Sequence, residues 1–159
     1  MKQVKVYTDG SCLTSRSQGW GPGGWAAILI YNGTEKEISG GSDYTTNNKM
    51  EITAALEALK ILKEPCEVTI YSDSQYVCNS ITKGWARCWK NGGWRKSDGK
   101  PAKNRELWEH MLQLCEIHHV DFVWVKGHNG DYYNERCDTL ATSESVKRFN
   151  KKGAVKDGT

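Results

Sequence analysis

Apolar and polar positions alternate with a period of two at the start of the chain. Val4, Val6 and Thr8 alternate with Lys5 and Tyr7, which predicts a half-buried strand over Val4–Asp9. A loop rich in Ser and Gly follows and ends in Gly21-Pro22-Gly23-Gly24. Trp25 to Tyr31 is an apolar run of strand length, and Asn32-Gly33 directly after it suits a tight hairpin, because both residues tolerate positive φ. Thr34 to Ser39 then returns as an antiparallel strand. The chain therefore opens with a three-stranded meander.

From Lys49 the period lengthens. Ile52, Ala55, Leu56, Ala58, Leu59 and Leu62 recur at helical spacing as far as Lys63, with Thr45-Thr46-Asn47-Asn48 as a start signal and Pro65 as a stop. Glu67 to Ser72 is a fourth strand. Ser74 can cap a short helix over Gln75 to Ile81, Gly84 suits its C-terminal cap, and a second short helix lies near Trp85 to Trp89. Lys103 to His118 predicts a longer helix with Leu107, Met111, Leu114 and Cys115 inward. Val120 to Val125 is a fifth strand, and Tyr132 to about Lys147 a final helix. A meander, then a helix, then a strand implies a parallel crossover back to the first strand. The pattern is one α/β domain over residues 1–150, with residues 151–159 a basic tail that lacks periodicity and reads as mobile.

Composition narrows the class without naming it. At 159 residues, 38% hydrophobic and 26% charged, the chain can bury a core unaided. No apolar run has the length of a membrane span or a signal peptide, so a cytoplasmic location is expected. Six scattered cysteines form no C-x-x-C pair, which disfavours a structural zinc and favours free thiols. The net charge of +3 is mild, but its distribution is not. Between Lys83 and Arg105 the acid Asp98 stands against Lys83, Arg87, Lys90, Arg95, Lys96, Lys100, Lys103 and Arg105, with Trp85, Trp89 and Trp94 interleaved. Basic residues mixed with aromatics suit a polyanion that presents sugars or bases.

Candidate chemistry sits at strand ends. Asp9 closes the first strand and Asp73 the fourth; as parallel neighbours they would face each other at the carboxyl end of the sheet, ~4.8 Å apart. Two such anions repel unless a proton or cation lies between them, and oxygen ligands favour a hard dication such as Mg²⁺. The bland alternative is that each aspartate caps a turn. Glu51 lies in the first turn of the long helix, on its polar side, where it can simply complement the helix dipole. Asp138 in the last helix reads by itself as a solvated residue.

Five blocks taken together resemble type 1 ribonuclease H: Asp9-Gly10-Ser11-Cys12, Thr45-Thr46-Asn47-Asn48-Lys49-Met50-Glu51, Ser72-Asp73-Ser74-Gln75-Tyr76-Val77, Val125-Lys126-Gly127-His128 and Asn134-Glu135-Arg136-Cys137-Asp138. They stand in the family's order with similar spacing and span nearly the whole chain. The resemblance implies a ribonuclease H-like fold, a five-stranded mixed sheet of order 3-2-1-4-5 with helices on both faces. It implies hydrolysis of the RNA strand of RNA–DNA hybrids, leaving 5′-phosphate and 3′-hydroxyl ends. It adds Glu51 and Asp138 to Asp9 and Asp73 as ligands of two Mg²⁺ ions that bind fully only with substrate, Mn²⁺ being an alternative ion. His128, between Gly127 and Gly130, matches a loop histidine that shuttles a proton or aids product release. His110, His118 and His119 read as helix-end or surface residues.

The same resemblance assigns recognition of the hybrid duplex. Asn47, Asn48 and Gln75 would sit in the minor groove, where amides can match the 2′-hydroxyl, with Cys12 packing near the RNA backbone. Asn47 and Asn48 could equally cap the helix, and both roles can coexist. Thr46 and Asn104, with Arg105 beside them, look like a DNA phosphate pocket, and Trp85 would stack on a deoxyribose in the basic protrusion, while Trp89 packs internally. One departure stands out: Leu13 to Trp20 is longer than the short Gly-Asn-Pro turn of many bacterial relatives. The asparagine that touches RNA there has no clear match, although Ser17 or Gln18 can substitute. The alternatives are a non-catalytic hybrid-binding module, which should have lost a carboxylate, another nuclease or transposase of the fold, and the ribonuclease H domain of a reverse transcriptase. Met1 just before the first strand suggests a free-standing enzyme, expected to be a monomer with no membrane partner.

Overall fold

The hairpin foreseen at Asn32-Gly33 is present, with φ of 49° and 77° at the two turn residues. It joins strand β2 (Gly21–Tyr31) to β3 (Thr34–Thr45), pairing Tyr31 with Thr34 and Ile30 with Glu35. The structure, a computed structural model, describes residues 1–13, 19–127 and 129–157, with side chains as far as Lys151. The remaining elements are β1 (Lys2–Cys12), α1 (Asn47–Lys60), β4 (Cys66–Ser72), α2 (Gln75–Thr82), α3 (Trp85–Asn91), α4 (Arg105–Ile117), β5 (His119–Trp124) and α5 (Tyr132–Asp157). The sheet has five strands in the order β3-β2-β1-β4-β5; β1 pairs antiparallel with β2 and parallel with β4, and β4 parallel with β5. The expected fold class and strand order hold.

One face of the sheet carries the main core. Val4 and Val6 of β1, Val68 and Ile70 of β4 and Phe122 of β5 meet Ile52, Leu56 and Leu59 of α1 and Trp108 and Met111 of α4. Trp108, which the helical pattern did not single out, is among the largest fully buried side chains, and its indole N–H donates to the Tyr76 hydroxyl at 3.0 Å. Helix α5 lies on the opposite face against β1, β2 and β3. Among the described residues, no helix is long and apolar enough to cross a membrane. All six cysteines are free.

Most differences from the expected boundaries come from tertiary contact. Gly21 to Gly24, read as loop, opens β2: a Cβ at Gly24 would overlap the carbonyl of Ala141 and the backbone of Ser145, so the bare backbone is what lets α5 lie against the strand. Strand β3 runs past Ser39 to Thr45 because Gly23 and Gly24 supply partners for Ser42 and Gly41. Helix α1 ends at Lys60, ahead of Pro65, and α5 continues past Lys147 to Asp157. Trp94, grouped by sequence with the polyanion-facing tryptophans, is instead buried in the core cluster.

Candidate active site

The parallel pairing of β1 with β4 ends at Thr8 opposite Ser72. Asp9, still within β1, and Asp73, just past the end of β4, are the next residues along the chain, and their carboxylates come together as their matched positions required. Asp9 does not close its strand, however. Strand β1 continues to Cys12 on β2, so Asp9 leaves the β4 pairing while still anchored to Ala26. That rigid extension makes its carboxylate a fixed point, buried at 4% exposure.

Glu51 departs most from its expected place. Helix α1 begins at Asn47, which puts Glu51 in the second turn, buried and turned toward the sheet. Gly10 is what admits it. A Cβ on Gly10 would stand 2.5 Å from the Glu51 nitrogen and 2.6 Å from the Met50 carbonyl carbon, so α1 can approach β1 only where a side chain is missing. The Gly10 N–H donates to Glu51 Oε1 and, at 2.9 Å, to Asp9 Oδ1. Ligand oxygens of Asp9, Glu51 and Asp73 all lie within 4.8 Å of one another.

Burial sets the electrostatics of the cluster. It pushes the Asp9 carboxyl up to about 8; the charges of Asp73 and Asp138 act in the same direction, while the hydrogen bonds from Glu51 and the Gly10 N–H oppose it. Burial and the neighbouring Asp9 charge hold Glu51 well above the usual carboxylate range. Among the described residues no ion pair involves Asp9, Glu51 or Asp73. Converging hard oxygens, desolvated and with no cationic side chain between them, fit a divalent metal ion. Asp138 lies outside that tight group but lines the same depression, about 380 Å³, together with Cys12, Asn47 and Ser74. Its helix is tied to β1 by Ser145 Oγ donating to the Ser11 carbonyl at 3.2 Å and by Cys137 Sγ at 3.3 Å from the Tyr7 carbonyl oxygen.

Known proteins share this sequence and fold. The family model described as RNase H matches residues 1–146. This chain belongs to the ribonuclease H family. It is 54% identical over 148 residues to a ribonuclease H of Nitratidesulfovibrio vulgaris, covering 93% of this chain and 92% of that one. A ribonuclease H of Acetivibrio thermocellus is 51% identical over 152 residues, 96% of this chain and 100% of that one. Among solved structures, LC9-RNase H1, described as a type 1 RNase H with the type 2 active-site motif, superposes with a TM-score of 0.83 at 28% identity, over 93% of this chain and 74% of that chain.

Of the residues expected to recognise substrate, Cys12 and Asn47 line the acidic depression, and Thr46, Asn48 and Asn104 line a neighbouring one that also includes Asn47. Thr46, not Asn47 or Asn48, caps α1, accepting from the Lys49 N–H at 3.1 Å. The capping role foreseen for the two asparagines is thus taken, and both are exposed in the first turn. Gln75 is exposed at the start of α2, behind the Ser74 cap. Asn104 precedes α4 in a left-handed conformation with φ of 62°, and its amide donates to the Tyr76 hydroxyl at 3.2 Å. Trp85 is exposed with Lys83 Nζ 5.7 Å from its ring centroid, whereas Trp89 is partly buried edge-on against Trp108, as expected of packing. Arg105 is engaged with Glu109 at 2.7 Å and lies over the Trp94 ring.

His128 lies outside the described residues, as do Ser17 and Gln18. The backbone just before His128 is pressed on the cluster: a Cβ at Gly127 would meet Asp73 Oδ2 at 2.8 Å, and the Trp124 indole N–H donates to the Asp73 carbonyl at 3.1 Å. His118 stands at the end of α4, as one of its two expected readings had it, but not at the surface. It is buried and accepts the Cys66 N–H at Nδ1, 3.1 Å away, joining the end of α4 to the start of β4. No spacing in the sequence signals that tie.

Proposed function

We propose that the protein is an endoribonuclease that hydrolyses the RNA strand of RNA–DNA hybrids, leaving 5′-phosphate and 3′-hydroxyl ends, with Mg²⁺ as its ion. The observation that carries this reading is the trio of buried Asp9 and Glu51 with half-buried Asp73, whose oxygens converge within 4.8 Å in a chain of the ribonuclease H family. In this reading Asp9, Glu51, Asp73 and Asp138 hold two ions once the scissile phosphate adds its own oxygens. Bound there, the metal supplies Lewis acidity that lowers the pKa of the attacking water and neutralises charge on the phosphate.

The chain's own groups do the rest. Carboxylates hold the ion in their deprotonated form, so binding displaces any proton the cluster carries. His128 accepts or delivers a proton near the leaving group. Asn47, Asn48 and Gln75 offer amides to the minor groove and to the 2′-hydroxyl that only RNA carries, with Cys12 against the RNA backbone. Thr46 and Asn104 take a phosphate of the DNA strand, and Trp85 packs on a deoxyribose. Presence of all four carboxylates disfavours a non-catalytic binding module.

The test is a cleavage assay on end-labelled hybrid, double-stranded RNA and double-stranded DNA, with and without Mg²⁺. The hybrid's RNA strand alone should be cut, and only with metal. Asp73→Asn should abolish cleavage yet leave hybrid binding near that of the parent, because it removes a metal ligand and not a nucleic-acid contact. Near-normal turnover by Asp73→Asn would refute the assignment.

A further inference from the structure

The groove continues past the carboxylates. Asn47 borders the acidic depression and also a second one of about 550 Å³, whose walls include Trp20, Thr46, Lys49, Lys103 and Asn104. Trp20 stands just before β2 and stacks on Tyr44 of β3, with ring centroids 5.1 Å apart and planes 18° from parallel. Lys49 Nζ lies 5.7 Å from the Trp20 centroid. Neither ring belongs to the main core cluster, and Tyr44 is 60% exposed. Among the described residues neither Lys49 nor Lys103 enters an ion pair, so both charges are available to an anion. The surface is thus a supported aromatic platform flanked by two ammonium groups and continuous with the acidic depression.

We propose that Trp20, braced by Tyr44, is a specificity-determining residue that packs against the sugar–phosphate edge of the uncut DNA strand, with Lys49 and Lys103 on its phosphates. The proposal rests on the ribonuclease reading above, in which the cut strand lies on the carboxylates and Asn47 in the minor groove. A duplex crossed from the cut strand over that groove presents its other backbone next. Along that edge the bases are stacked inside, so a ring meets sugar. A deoxyribose offers an apolar C2′ to an aromatic face, whereas a ribose would bring a hydroxyl that loses water on contact. The two lysines add an attraction for phosphate that carries no sequence information.

The test compares wild type, Trp20→Ala and Trp20→Phe on fluorescein-labelled hybrid in Mg²⁺. Trp20→Ala should raise KM about tenfold, within the range of one lost aromatic stack, with the loss carried in KM rather than kcat. Trp20→Phe, which keeps a ring, should recover most of it. Hybrids whose DNA strand carries a single ribonucleotide at successive positions should show a wild-type penalty at one position that Trp20→Ala removes. Lys103→Ala, which leaves the Trp20 loop untouched, should reduce the salt slope of hybrid binding by about one. An unchanged KM and ribonucleotide profile in Trp20→Ala, with wild-type cleavage normal, would overturn this inference alone. A Trp20-dependent profile found by deoxynucleotide substitution along the RNA strand would also overturn it, placing the ring on the cut strand. Failure of the wild type to cut hybrid would remove the ribonuclease reading itself.

Discussion

Glu51 is in the carboxylate cluster because Gly10 has no side chain. The two backbone atoms that a Cβ would strike belong to α1, at 2.5 and 2.6 Å, and a helix backbone cannot yield as a side chain can. Gly10→Ala should therefore push α1 off β1, costing about 1–3 kcal/mol as other overpacked sites do. Urea unfolding would read that loss, and isothermal titration with Mg²⁺ should show weakened binding as Glu51 retreats. His118 makes a different prediction. Its Nδ1 accepts the Cys66 N–H, and burial holds its pKa below the ordinary histidine value, so the native state favours the neutral ring. Between the lowered native pKa and the unfolded value of about 6.5 the unfolded chain binds more protons. The stabilisation is fully present above pH ~6.5 and is lost as pH falls through the native value. His118→Phe should cost about 1–3 kcal/mol at pH 8, where it leaves the Cys66 N–H unpaired. Urea melts at pH 8 and pH 5 should show a smaller pH dependence for that variant than for wild type.

At the scale of elements, α1 joins structure to recognition through its first residue. Thr46 caps the helix and lines the depression around Trp20, so in the proposed reading one hydroxyl holds a backbone N–H and faces substrate. Thr46→Ala should cost about 1 kcal/mol in urea unfolding for the lost cap. Thr46→Ser should restore stability, and a return of hybrid affinity with it would assign the binding role to the hydroxyl. The elements most legible in the sequence were those whose period is local. The β2–β3 hairpin, with both turn residues at positive φ, and the α2 cap at Ser74 are where the residues indicated. The poorly read boundaries belong to glycine-rich stretches: Gly21–Gly24 and Gly40–Gly41 carry no strand signal, and pairing of β2 with β3 makes them strand. The basic segment was half legible. Its charges and the exposed Trp85 read correctly as surface, but Trp94 has the same sequence neighbourhood and lies in the core.

For the molecule as a whole, the parallel return of β4 onto β1 is the decisive event, because it turns two aspartates 64 positions apart into neighbours. That much follows from the sequence by itself: alternation sets the strands, a helix between two of them demands a parallel crossover, and two acids at matched positions must then meet and seek a cation. The blocks shared with ribonuclease H were likewise legible as a resemblance over nearly the whole chain. The resemblance named the two further acids, but only the tertiary structure shows physically why they join and what lies beyond. Glu51 reads as a dipole complement until α1 is pressed against Gly10, and Asp138 reads as a solvated residue until α5 lies across the opposite face of β1. Trp20 sits in a polar loop with no periodicity to give it a face, and only its contact with Tyr44 and Lys49 makes a platform of it. The reason is common to all three. Period and local chemistry report on a residue's own element, whereas burial and field at these positions come from a second element packed on it, and no local pattern carries that information.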